Sequence, residues 1–363
     1  MLTTFYFCAI IKVVNKSTTS MDLKAHILAK IQKQKQIKAS EIIKEAGFSR
    51  TYVNRALKEL RDEGRIVLLG KTNVSLYVLA NIEAMTHAKK SITSFRLAFD
   101  NKELAEDVVL DKIKKETGIF LGLPDNVDNI VSYAFLEMLN NAIEHSSASK
   151  ILVLMEKKDG RVSFVVADNG VGIFNNIKQK FNLPDIASAV QELYKGKQTT
   201  ALVGHSGMGI YFTSKIGEVL SIKSFGKKLI FNNALGDISL NDARIFNGTW
   251  VFFSCPVDTA VTVAEIFGKF TDKENFEFNK TEIPVRLFKY GKNLLSRSEA
   301  RRIIFGLEKF KEISLNFSGV DTVGQSFADE IFRVWQSQFP DKKIVYINAN
   351  ENVLAMIKMA INS

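Results

Sequence analysis

Phe135-Leu136-Glu137-Met138-Leu139-Asn140-Asn141-Ala142-Ile143-Glu144-His145, then Asp168-Asn169-Gly170-Val171-Gly172, then Gly204-His205-Ser206-Gly207-Met208-Gly209 are the three clusters around which this chain is organised. Apolar Phe135, Met138, Leu139 and Ile143 keep helical spacing, which puts Glu137, Asn141 and Glu144 on roughly one polar side. A carboxylate and an amide one turn apart suit a magnesium-nucleotide. The second cluster follows a strand-like run, Val162 to Ala167, so Asp168 sits where a buried strand ends and the glycines allow a tight turn against a ligand. The third precedes a helix-like run, Ile210 to Ile216, and a glycine-rich turn at a helix start offers free backbone N–H groups to phosphate.

Taken singly, the clusters read as a solvated helix face, a turn and a glycine-rich loop. Their order and spacing, in a helix, strand, turn, helix context, resemble the Bergerat-fold ATPases, the GHKL superfamily of gyrase, chaperone, histidine kinase and MutL. Its N box (ExxxN), G1 box (DxGxG) and G2 box (GxxGxG) are all present, and the resemblance spans about Ser91 to Val257. It implies an α/β sandwich binding ATP and Mg2+. On this resemblance Glu137 orients the water that attacks the γ-phosphate, or merely orders magnesium's water shell, and Asn141 binds the metal. Asp168 accepts from the adenine amino group, Gly170 and Gly172 turn beneath the base, and Thr249 helps hold adenine. Gly204, Gly207, Met208 and Gly209 bring backbone donors to the phosphates, and Phe174 to Val203 forms a lid. Histidine kinases commonly replace the glutamate, so Glu137 points to hydrolysis or serine phosphorylation. His87 is followed by Ala-Lys-Lys, which is not the acidic context of a phosphoacceptor histidine.

At 363 residues the chain exceeds what one hydrophobic core usually supports, so a multidomain α+β protein is expected. Hydrophobic content of 46% with 24% charged residues is that of an ordinary globular protein. Two cysteines, Cys8 and Cys255, without metal-ligand spacing support neither a disulfide framework nor a zinc site. No apolar run approaches the roughly 18 residues of a membrane helix, so no membrane partnership is expected. Residues 1–21 read either as an extension upstream of a true start at Met21 or as an extra strand or hydrophobic arm. They lack the basic leader of a secretory signal, and a cytoplasmic location is expected.

Residues 22–90 pattern as three helices and a hairpin, a winged helix-turn-helix. Ser49 to Glu63 is the recognition helix, presenting Ser49, Arg50, Thr51, Asn54, Arg55 and Lys58, and Lys71 lies in the wing between Arg65–Leu69 and Leu76–Leu79. From Asp22 to Lys90 there are 14 Lys and Arg against 7 Asp and Glu, so this segment carries seven of the chain's formal +10. Such local excess suits double-stranded DNA; a protein-binding adaptor is the other reading. Ile82 to Leu104 reads as a connector.

Residues 283–363 alternate strand and helix: strand Val285–Phe288, helix Ser296–Leu307, strand Glu312–Phe317, helix Ser326–Gln338, strand Lys343–Ile347 and a last helix from Val353. This small α/β segment resembles the STAS-like domain of unknown function, family 4325, with Ser318 to Asp329 as its signature. In STAS-fold antagonists a serine opening that helix is phosphorylated by a Bergerat-fold kinase. Ser326 holds the place in a different context, Gly324-Gln325-Ser326-Phe327, so it is either a phosphoacceptor or a helix N-cap. Two functions remain open: a DNA-binding transcriptional regulator with a nucleotide-gated switch, and a serine protein kinase acting on a STAS-like domain in cis or in trans. A protein partner through the STAS-like domain and a homodimer complete the expected partners.

Overall fold

The computed structural model describes residues 23–70, 75–196, 208–272, 277–288 and 294–363. Two compact units divide the chain: one runs to Phe95 and takes in Asp111–Gly122, the other comprises Arg96–Leu110 and Leu123–Ser363.

In the first unit, helices α1 (23–34), α2 (Ala39–Ala46) and α3 (Arg50–Asp62) precede a hairpin of β1 (Ile66–Leu69) and β2 (Leu76–Leu79). Gly47, in the left-handed region at φ +66°, ends α2, a conformation that costs glycine little. Ser49 then accepts from the Tyr52 N–H at 3.3 Å and caps α3, as its sequence position predicts. Val53, Ala56, Leu57 and Leu60 of α3 are buried with Ile27, Ile31 and Ile42 in one core. The hairpin is antiparallel, with Ile66 opposite Leu79, and Ile37 exchanges both backbone hydrogen bonds with Tyr77.

The expected connector Ile82 to Leu104 is instead structured. It forms α4 (Ile82–Lys90), capped by Asn81, and β3 (Ser94–Asp100). Ala88 alone is fully buried in α4, and Phe95 alone in β3, so neither element carries the apolar periodicity that would announce it. α4 covers the hairpin, where Ala88 joins Leu69, Leu76, Val78 and Ile92. α5 (Glu106–Glu116) crosses the division between the units.

The second unit is built on a sheet of seven strands in the order β3-β4-β5-β9-β6-β7-β8. After α6 (Asp125–His145) come β4 (Lys150–Lys158), β5 (Arg161–Asp168), α7 (Ile173–Lys180), α8 (Ile186–Lys195) and α9 (Gly209–Ile216). β6 (Val219–Ser224), β7 (Lys227–Asn232), β8 (Asp237–Asp242) and β9 (Thr249–Pro256) complete the sheet. From β4 to β8 every pairing is antiparallel. Alternation along β4 and β5 buries Ile151, Val153, Met155, Val162, Phe164 and Val166 on one face, and Phe135 of α6 meets Phe164 edge-on at 5.4 Å. No residue of the edge strand β8 is fully buried, which is why its sequence does not read as a strand. The described part of the Phe174 to Val203 interval holds most of α7 and all of α8, joined by a non-helical turn at 181–185; 197–203 lie outside the described residues.

Beyond β9 the chain forms α10 (Val263–Phe270) and β10 (Lys280–Pro284), then a 3-10 turn (Val285–Phe288) and α11 (Arg297–Ile304). β11 (Glu312–Asn316) leads to α12 (Gln325–Asp329), which continues through a π-helical turn (Glu330–Trp335) into α13 (Gln336–Gln338). β12 (Lys343–Ile347) and α14 (Glu351–Ile361) follow. β10, β11 and β12 make a parallel three-stranded sheet. The strand expected at Val285–Phe288 is thus the turn, and the strand lies just before it. Thr281 fills a buried slot two residues before Ile283, and this polar residue hides the alternation. An aromatic interior joins this part to the large sheet: Phe212 stacks on Phe267 at 3.9 Å, Tyr211 meets Phe270 at 5.2 Å and Phe278 at 5.0 Å, and Phe278 meets Phe310 at 5.4 Å. Among the described residues no helix is long and apolar enough to cross a membrane.

Candidate nucleotide-binding site

The buried end of β5 delivers Asp168 to a turn fixed from two sides. Its carboxylate accepts from the Gly170 N–H at 2.8 Å and from the backbone and hydroxyl of Thr249 on β9. The Thr249 oxygen also accepts from the Ile173 N–H at 3.0 Å, pinning the start of α7. Burial pushes the Asp168 pKa above the usual aspartate value and outweighs these three donors, which favour the charged form. Gly172 takes φ +79°, and a Cβ there would come within 2.6 Å of the Ser224 hydroxyl.

α6 meets this turn at its C-terminal end. The Ser146 carbonyl accepts from the Val171 N–H at 2.8 Å, and the Asn176 amide donates to the His145 carbonyl at 2.9 Å. A Cβ on Gly170 would overlap the same Ser146 carbonyl. Two turns back, the Glu137 carboxylate lies against Gly209, the first residue of α9; a Cβ on Gly209 would overlap its Oε2. Glycine there lets a negative group approach a helix start, where the macrodipole favours it. Tyr133, one turn before Glu137, packs edge-on against Phe267 at 5.4 Å. Its phenol pKa is pushed up, first by burial and then by the Glu137 charge.

Asn141, one turn after Glu137, keeps its buried amide nitrogen without a hydrogen-bond partner among the described residues. Buried polar groups are normally paired; an amide nitrogen donates, so this orphan is open to an acceptor such as a phosphate oxygen, and a metal would be met by the amide oxygen instead. Mg2+ is usually held by one or two protein oxygens together with substrate phosphates. An amide beside a carboxylate, with glycines cleared for close approach, fits that group.

The structure therefore connects Asp168 to Gly170 and Thr249 directly, sets Gly172 against Ser224 and Gly248, and places Glu137 against Gly209. Met208 precedes α9 as its N-cap. Gly204 and Gly207 lie outside the described residues, as does Lys71. Ser146, Ser224 and Gly248 complete the turn, and nothing in their sequence context marks them as site residues. Ser224 donates to the Gly248 carbonyl at 2.9 Å, a role that leaves no sign beyond a common residue type.

Elsewhere, Ser49, Arg50, Thr51, Asn54, Arg55 and Lys58 are all exposed on α3, with Arg55 paired to Glu59 at 2.9 Å. Ser326 is not an N-cap. Gly324 holds that position, and Ser326 is exposed within the first turn of α12.

A search of curated proteins finds no match. Comparison with known families matches residues 108–232 to the histidine kinase-like ATPase domain, an interval that contains Glu137, Asn141, Asp168 and Gly209. Residues 299–354 match the STAS-like domain of unknown function (DUF4325), so the chain joins a histidine kinase-like ATPase domain to a C-terminal STAS-like domain.

Proposed function

We propose that this protein is an ATP-binding regulator of transcription, holding double-stranded DNA through a winged helix in its first unit and using the α6–β5 site as a nucleotide-dependent switch that slow hydrolysis resets. The observation that carries the reading is the Glu137 carboxylate seated against Gly209, one helical turn from the orphaned Asn141 amide. Asn141 would hold Mg2+ and Asp168 would accept from the adenine amino group. Glu137 would orient water, since phosphoryl transfer asks the protein for position and charge stabilisation rather than covalent chemistry. The three helices, the hairpin and the exposed polar side of α3 support the DNA part of the reading. A cytoplasmic location, a protein partner at the STAS-like domain and a homodimer go with it.

Glu137→Ala separates binding from chemistry. It should retain ATP in calorimetry while phosphate release falls roughly a hundredfold or more, if the carboxylate acts as a general base. Hydrolysis at the unaltered rate would remove Glu137 from the reaction.

The exposure of Ser326 favours a second reading, a serine protein kinase acting on this residue or on a STAS-like partner. Labelled γ-phosphate would appear on protein in that case and as free phosphate in the first.

A further inference from the structure

The C-terminal sheet holds two helices of the ATPase domain by polar contacts. Lys195, at the end of α8, has no exposed surface. Its ammonium donates to Glu192 at 2.5 Å and to the carbonyls of Arg302 and Phe305 at 2.9 Å each. Those carbonyls belong to the C-terminal end of α11, where a helix leaves acceptors unpaired and a cation is favoured. Burial pushes the Lys195 pKa down, with Glu192 opposing. The carbonyl of Lys195 in turn accepts from the Thr281 hydroxyl of β10 at 3.0 Å.

The next residue of β10 grips α9. The Glu282 N–H donates to the Tyr211 hydroxyl at 3.1 Å, and its carboxylate pairs with Lys215 at 3.9 Å. Tyr211 is two residues beyond Gly209, the residue that touches Glu137. Apolar packing alone would suffice to glue two layers together. Buried lysine, threonine and tyrosine groups are costly unless paired, and in exchange they fix orientation.

We infer that Thr281 and Glu282, on β10 of the C-terminal sheet, are positioning residues for the nucleotide site: acting through Lys195 and Tyr211, they set where α9 begins relative to Glu137. The inference rests on reading that site as an ATPase. Misplacement by about 1 Å in a reacting constellation can cost a hundredfold in rate, so β10 governs turnover without touching the nucleotide.

The test uses the full chain with Tyr211→Phe, which keeps the ring and removes the acceptor, and Thr281→Val, which removes one donor. ATP turnover, ADP affinity and hydrogen exchange without nucleotide are measured for each. Turnover should fall about tenfold while ADP affinity stays within about twofold. Amides 209–212 should exchange about five to ten times faster, with β4 and β5 unchanged. Equal losses of turnover and ADP affinity, or faster exchange throughout the second unit, would show a general brace and overturn the inference. Should the unaltered protein bind no ATP, the ATPase reading fails and exchange alone decides. Local acceleration at 209–212 then still shows that β10 sets the start of α9 beside Glu137, without a nucleotide role, and unchanged exchange overturns that placement as well.

Discussion

Asp168 holds opposing demands in one side chain. Burial raises its pKa while three donors favour the anion, so its protonation begins at a higher pH than that of an exposed aspartate. A protonated carboxyl loses acceptor capacity for the adenine amino group, and nucleotide affinity should decline as pH falls through that raised pKa. The stability sign is opposite: a raised carboxylate pKa gives stability that is present below the unfolded value and lost as pH rises through the folded one. At neutral pH Asp168 is therefore a burden on the fold. Asp168→Asn should weaken ATP binding by about 1.5–3 kcal/mol while the melting temperature holds or rises; calorimetry and thermal unfolding check the two halves. Unchanged affinity would take Asp168 out of the site. Glu137, Asn141 and Asp168 could be picked out in the sequence as candidates because the chemistry proposed for them lies in side chains at set spacings. Ser146 could not, because it acts through its carbonyl, an atom every residue has.

Among the elements, legibility followed burial. α3 could be read because a capping serine precedes a stripe of four buried residues. β3 and β8 could not, because edge strands have no neighbour on one side and expose most of their side chains. α3 also carries the prediction for DNA. Replacing Arg50 and Arg55 together by Ala should weaken duplex binding and flatten its salt dependence, by about one unit of slope for each phosphate no longer neutralised. Arg55 must leave Glu59 to reach a phosphate. The pair is solvent-exposed and such pairs hold weakly, so this competition is weak and Arg50→Ala alone should account for somewhat more than half of the effect. Titrations over a range of salt measure it, and an unaltered slope would make the first unit an adaptor.

Across the whole molecule, a switch requires that nucleotide and DNA each bias the same equilibrium. Reciprocity then demands that a non-hydrolysable ATP analogue change DNA affinity by the factor by which DNA changes analogue affinity. Two titrations decide it, and a factor of one in both would leave tethered modules without a switch. The two matched segments stop at residue 232 and resume at 299. The interval between them supplies β8, β9, α10 and β10, and with them Phe267, Phe270 and Phe278, on which Tyr211 and Phe212 pack. The aromatic interior thus belongs to neither half alone. A stop codon placed just after β9 would keep Glu137, Asn141, Asp168 and Thr249 in the product yet strip the rings from one side of α9. Such a fragment should clump rather than work as a smaller ATPase, which makes the two halves of this unit a single heritable piece.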